Sequence, residues 1–239
     1  QKNENTEVFY TNMLYDLLKF KPIQIIGSTS LTTYLNSELS TIIDKIRSDI
    51  ARIYGFILPV VEVTDCGFLN SGQIQVFINE AQTIEFDFQP DKIFKINCKV
   101  GQPVEFYLDR SLRKYESGWV DEAADDPTVT YFDPDAYLEA RLFTHFLNYA
   151  ESLFTRQATA NLIDKLAAQH PFIVEALQSK YPFSGVSVVH NSLAMFLSEK
   201  VSIRSLSIII EGVLDYYENF PEINDLVEML RRDIVHQLI

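Results

Sequence analysis

The period of the apolar residues changes at Asp133, and that change divides the chain into two kinds of structure. Before it, apolar residues come in short runs with alternation or with β-branched and aromatic enrichment: IQII (23–26), PVVEV (59–63), QIQVFI (73–78), TIEFDF (83–88), IFKINC (93–98), VEFYL (104–108) and TVTYF (128–132). Successive strand side chains point to opposite faces, so these runs predict strands. One helix interrupts them. In ELSTIIDKIRSDIARIYGF, Leu39, Ile42, Ile43, Ile46, Ile50 and Ile53 recur at helical steps, and Gly55 is a C-terminal stop.

After Asp133 the apolar residues recur every three or four positions to the end of the chain. Asp133 followed by Pro134 reads as an N-cap with proline at the first helical position. Helices are expected over 134–154, 156–169, 171–180, 187–199, 202–218 and 221–238. In the stretch VSIRSLSIIIEGVLDYY (201–217), Ile203, Leu206, Ile210, Val213, Leu214 and Tyr217 share one face, and Ser202 is placed to cap the start. The fold class is therefore α+β: a small α/β part with a β-rich insertion, then an all-helical array, right-handed in this reading. The expected divisions are a linker over 1–22 with a short amphipathic helix at Val8–Phe20, then 23–92 completed by the helix of 133–155, an insertion over 93–132, and helices over 156–239.

Composition narrows the function. With 47% hydrophobic residues, 17 Phe and 12 Tyr, the 239 residues can bury a sizeable core. A net charge of −13 opposes phosphate backbones and anionic headgroups, which disfavours nucleic-acid or membrane-surface binding. Cys66 and Cys98 form no paired motif and read as reduced thiols. No apolar run approaches the roughly 20 residues that span a bilayer. The chain opens at Gln1 without a signal peptide and closes in an unfinished helical pattern, LRRDIVHQLI, which reads as a fragment of a longer protein.

Catalytic constellations are absent from the sequence. Glycine-rich phosphate loops, a nucleophile elbow and a zinc-binding histidine pair are all missing. His145, His170, His190 and His236 stand singly, and Asp121, Glu122, Asp125 and Asp126 lack the spacing of a calcium loop. Neither enzyme activity, nor a metal, nor a cofactor is expected.

Three separated blocks in order resemble the flagellar and type III secretion export-gate family (FlhA/SctV). NSLAMFLSEKVSIRSLSIIIEGVLDYY is similar to the family's "LQNLLxExVxIRDLxxILExLxxYA". FDPDAYLEARLFTHFLNYAESLFTRQATANLIDKL looks like "VDPxxVIATHLxxxLxxxAxELLGRQExQxLLDxL", including the D-P opening and the pair Arg156–Gln157. LSTIIDKIRSDIARIYGFILPVVEVTD is similar to "LLxRIxxIRxxxAxxxGFxxPxVxIRD". Departures mark a divergent member: the family's early "GYxLI" is reduced to IGSTSLTTYL, "RDN" is Thr64–Asp65–Cys66, and the Asp of "IRDL" is Ser205.

The resemblance implies the cytosolic part of an inner-membrane export gate, at the cytoplasmic face of a bacterial inner membrane. The full-length protein would carry a multi-pass membrane region, and a fourth cytosolic subdomain would lie past Ile239. It implies a homo-oligomeric ring, usually of nine copies, that receives secretion chaperone–cargo complexes and gatekeeper-type proteins. The family's receiving dimple uses a "DPAFG" stretch before a Trp and the Thr of "ATHL". Anchored on Trp119, with one residue inserted, Asp109 and Leu112 take the Asp and Phe places. Counted back from Arg156–Gln157, the ATHL place falls on Glu139–Ala140–Arg141–Leu142. The partner-binding residues implied are Asp109, Leu112, Trp119, Ala140 and Leu142. A ring contact through the helical array would use Arg156, Gln157 and Arg204. The loss of several flagellar-type signatures tilts the reading toward a secretion system. The alternatives are a flagellar homologue and a purely structural oligomerising scaffold or adaptor.

Overall fold

The computed structural model describes Leu14, residues 18–98 and residues 115–235, with the side chain of Val235 left aside. The expected strand at 104–108 and most of the expected helix at Val8–Phe20 lie outside the described residues, as does His236. The chain forms two compact units. One comprises the described residues up to Leu35 with Pro59–Asp87, and the other Asn36–Leu58 with the described residues from Phe88 onward.

The first unit is built on a four-stranded sheet. Its strands are β1 (Ile23–Ser28), β2 (Val61–Cys66), β3 (Gln73–Ile78) and β4 (Ala81–Asp87), in the order β2-β1-β3-β4. β1 and β2 run parallel, and the 3₁₀ turn Thr29–Leu31 and helix α1 (Thr32–Tyr54) connect them in sequence. The other two pairings are antiparallel. Alternation sets the faces: Ile23 and Ile25 on β1, Ile74, Val76 and Ile78 on β3, and Ile84 and Phe86 on β4 are buried. Asn79 and Glu80 join β3 to β4, both at positive φ (50° and 66°), as a two-residue hairpin requires if its twist is to match the strands. The loop after β2 is tied back by Ser28, whose Oγ accepts from the Gly72 N–H at 3.0 Å.

Among the described residues the second unit holds most of α1, a small sheet and seven further helices. The apolar stripe of α1 is buried at Leu39, Ile42, Ile43, Ile46 and Ile50. The sheet is antiparallel in the order β6-β5-β7: β5 is Ile93–Ile96, β6 Ser117–Val120 and β7 Thr130–Phe132. Nothing in SGWV announces a strand, and β6 was not anticipated. Its pairing with the strongly patterned β5 makes it one.

The helices are α2 (Pro134–Asn148), α3 (Ala150–Leu153), α4 (Arg156–Ala167), α5 (Pro171–Lys180), α6 (Gly185–Ser198), α7 (Leu206–Tyr216) and α8 (Ile223–Val235). Asp133 caps α2, its Oδ1 accepting from the Ala136 N–H at 2.7 Å, and Thr155 caps α4 in the same way. The single helix expected over 134–154 breaks at Tyr149, which leaves helical geometry (φ −103°, ψ 11°). The helix expected from Ser202 begins at Leu206 instead. Ser202 accepts a local bond from the Arg204 N–H at 3.4 Å, and 201–205 stay outside the helix because Ile203 has another task. The architecture is α+β.

Candidate functional site

The candidate site is an aromatic platform within the second unit. Register places Phe94 of β5 opposite Trp119 of β6. Their rings meet edge-on, with centroids 5.1 Å apart at 69°. Phe88 meets the indole at 5.6 Å and 85°, and Tyr137 of α2 at 4.9 Å and 72°. Phe94 and Tyr137 lie 4.2 Å apart. Edge-to-face contacts match the positive rim of one ring to the negative face of another, adding about 0.5–1.5 kcal/mol per pair beyond burial.

Phe88, Phe94 and Tyr137 are buried, whereas Trp119 is only half-buried. Among the described residues three rings thus fix the indole, which stays half-buried. One turn along α2 from Tyr137, the buried Arg141 donates from Nη1 to the Tyr137 hydroxyl at 3.0 Å, and its guanidinium carbon lies 5.7 Å from the tyrosine ring centroid. That contact places a cation behind the platform.

The sequence-predicted partner residues separate here. Ala140 is half-buried on α2, and its carbonyl accepts from the Thr144 hydroxyl at 2.8 Å. Leu142 is fully buried and offers no accessible surface, because it sits on the core stripe with Leu138 and Phe146. Asp109 and Leu112 lie outside the described residues. Phe88, Phe94 and Tyr137 were missed. Their signal was the β5 alternation, which puts Phe94 and Ile96 on one face, and the four-residue step from Tyr137 to Arg141.

A second place of interest is the joint made by VSIRSL. The Ile203 N–H donates to the Tyr54 carbonyl at 2.8 Å, satisfying an orphan acceptor at the end of α1, and the Ile203 side chain is buried. Gly55, at φ +85°, permits the approach. A Cβ there would lie 2.7 Å from Arg204 Cγ and 2.9 Å from its backbone nitrogen. Arg204 is exposed, as are Arg156 and Gln157 at the start of α4. Gln157 donates from Nε2 to Asn161 Oδ1 at 2.9 Å. His190 of α6 stacks on Phe154 at 5.6 Å, with Nδ1 3.0 Å from the Thr159 hydroxyl. Burial, aided by the Arg156 charge, holds its pKa below the ordinary value of 6.5.

Among the described residues no group of three His, Cys, Asp or Glu side chains is placed to hold a metal ion, and no helix is long and apolar enough to cross a membrane. The arrangement can bind through an aromatic surface and through charge.

Comparison with known proteins gives the class. The profile of the FHIPEP family matches residues 1–239, and the chain belongs to that family. It is similar to the flagellar biosynthesis protein FlhA of Bacillus subtilis, at 27% identity over 203 residues that cover 81% of this chain and 29% of that protein. It is also similar to the protein MxiA of Shigella flexneri, at 24% identity over 214 residues, 83% of this chain and 29% of the relative. The chain thus spans less than a third of the length of these relatives. Among solved structures its fold is like that of the nonameric EPEC SctV-C, with a TM-score of 0.67 at 17% identity, covering 90% of this chain and 65% of the other.

Proposed function

We propose that this chain is the part of a type III secretion export gate, at the cytoplasmic face of the inner membrane, that receives chaperone–cargo complexes and assembles into a homo-oligomeric ring. It acts by binding, without chemistry of its own. The observation that carries the reading is the half-open Trp119, clamped by three rings on a strand at the edge of the described sheet. A rigid, partly exposed indole loses little conformational freedom on docking and has the character of an interface anchor. Leu142 supports this surface from the core and does not touch the partner. Family membership supports the export-gate reading, and the nonameric relative supports the ring. The similarity to a relative named as a flagellar biosynthesis protein keeps a flagellar homologue as the alternative.

The test is a titration of the chain with a chaperone–cargo complex from its own source, beside Trp119→Ala and Arg204→Ala. Truncating a central anchor costs about 2 kcal/mol or more, roughly 30-fold in Kd. We expect that loss for Trp119→Ala alone. Equal binding by all three forms would remove the platform from the receptor role.

A further inference from the structure

A cleft of about 330 Å³ opens at the VSIRSL joint, within the second unit, lined among others by Gly55, Leu162, Lys165, Leu166, Gln169 and Arg204. Its charge runs against that of the molecule. The chain carries −13 overall, yet among the described residues two cations line this cleft and no carboxylate does. Lys165 and Arg204 make no ion pair among the described residues, whereas Lys45, Arg52, Lys180 and Arg231 are each within ion-pair distance of an acid.

The same chain displays the complement. The connector between β6 and β7 carries Asp121, Glu122, Asp125 and Asp126, all exposed. Asp121 lies 3.3 Å from the Lys92 ammonium, and Asp126 accepts from Thr128. Glu122 and Asp125 have no ion-pair partner among the described residues, and no ion pair links the connector to the cleft within one chain.

We infer that the cationic cleft receives the acidic connector of a second copy of this chain, with Lys165 and Arg204 facing Glu122 and Asp125. The inference rests on the ring reading above and names the surfaces that meet. Two different patches on one molecule, each complementary to the other, form a head-to-tail contact, which propagates into a closed ring or an open filament. The acidic surface elsewhere repels approach in other orientations, so the pair sets register and encounter rate more than raw affinity. Being exposed, the contact is screened by salt.

The experiment mixes isotopically light and heavy copies of the chain at a concentration where they associate, adds a carbodiimide, and maps amide cross-links by mass spectrometry. Cross-links from Lys165 to Glu122 or Asp125 between light and heavy copies, reduced at least tenfold by Arg204→Glu or by 0.5 M salt, are the expected result. Because Arg204→Glu also touches Gly55, its thermal unfolding is followed. A charge-swapped chain, Lys165→Glu with Arg204→Glu and Glu122→Lys with Asp125→Lys, should restore association lost in either half-swap. Association without these cross-links, or unaffected by the half-swaps, overturns this contact and leaves the ring reading standing. Absence of association at every concentration overturns both.

Discussion

Trp119 and Arg204 are positioned by opposite means, although both lie in the same compact unit. Among the described residues three rings, from β5, α2 and the segment before β5, hold the indole, and no residue of β6 is at positive φ. Arg204 is held by its backbone. Ile203 ties the non-helical segment to the end of α1, and a glycine in the left-handed region lets the two segments touch, while the guanidinium stays free of ion pairs among the described residues. A platform fixed by side-chain packing presents an apolar surface of defined shape. A joint fixed by backbone leaves its side chains adjustable, which suits a charged contact made and broken by assembly. Each is vulnerable in its own way: the platform to truncation of rings, the joint to any atom added beside the backbone.

The largest effect is expected at the platform's buried wall. Tyr137→Ala removes a buried ring that touches both Phe94 and Trp119 and strips Arg141 of its hydroxyl acceptor. Truncating such an aromatic costs about 3–5 kcal/mol. Urea denaturation should show that loss, and Tyr137→Phe should recover most of it. A loss no larger than that of an exposed substitution would mean that the rings do not hold the site.

At the joint the corresponding change adds a methyl group. Gly55→Ala forces a side chain into positive φ and against the Arg204 backbone, and strain of this kind costs about 1–3 kcal/mol. Arg204→Ala should leave stability nearly unchanged, since that side chain is exposed. If Gly55→Ala were neutral by the same denaturation measurement, the joint would not depend on close backbone approach, and the contrast between the two regions would fall.

A smaller effect separates binding from stability within the platform. Trp119→Ala should cost the fold less than Tyr137→Ala because the indole is only half-buried, yet it should weaken partner binding more than any change at the joint. Near-ultraviolet circular dichroism of Trp119→Phe reports whether the remaining rings keep their arrangement.

Much of this contrast could be read in the residues, and the gaps have physical causes. The α+β class and the Asp133 cap were legible because period and capping are local properties, and Gly55 stood out as a stop. Its second task, admitting Arg204, depends on a segment about 150 positions away that no local pattern reveals. The start of α7 was misplaced for a related reason. Ile203 has helical spacing with Ile210, but a carbonyl at the end of α1 claims its N–H, and a tertiary hydrogen bond outweighs a weak local preference. Trp119 was singled out by resemblance alone, since SGWV has no strand pattern and its neighbours come from three separate segments. Leu142 was placed at a contact by counting along a motif, and counting does not report which side of α2 is buried.

The smallest effect concerns His190, which touches neither Trp119 nor Arg204 but sits on the helical side of the contrast. Its ring stacks on Phe154 and bonds Thr159, and burial, with Arg156 assisting, lowers its pKa from the ordinary 6.5. The folded form therefore resists protonation that the unfolded chain accepts. In the window just below pH 6.5 the unfolded state binds more protons, so stability rises with pH there. The contribution is complete above the unfolded value, is lost as pH falls toward the folded value, and stays lost below it. Denaturation midpoints between pH 5 and 7.5 should show this slope. His190→Gln, which keeps a hydrogen-bonding group toward Thr159 without the titration, should flatten it while leaving Trp119 fluorescence unchanged. A slope that survives the substitution would assign the titration to another group and leave His190 a packing residue.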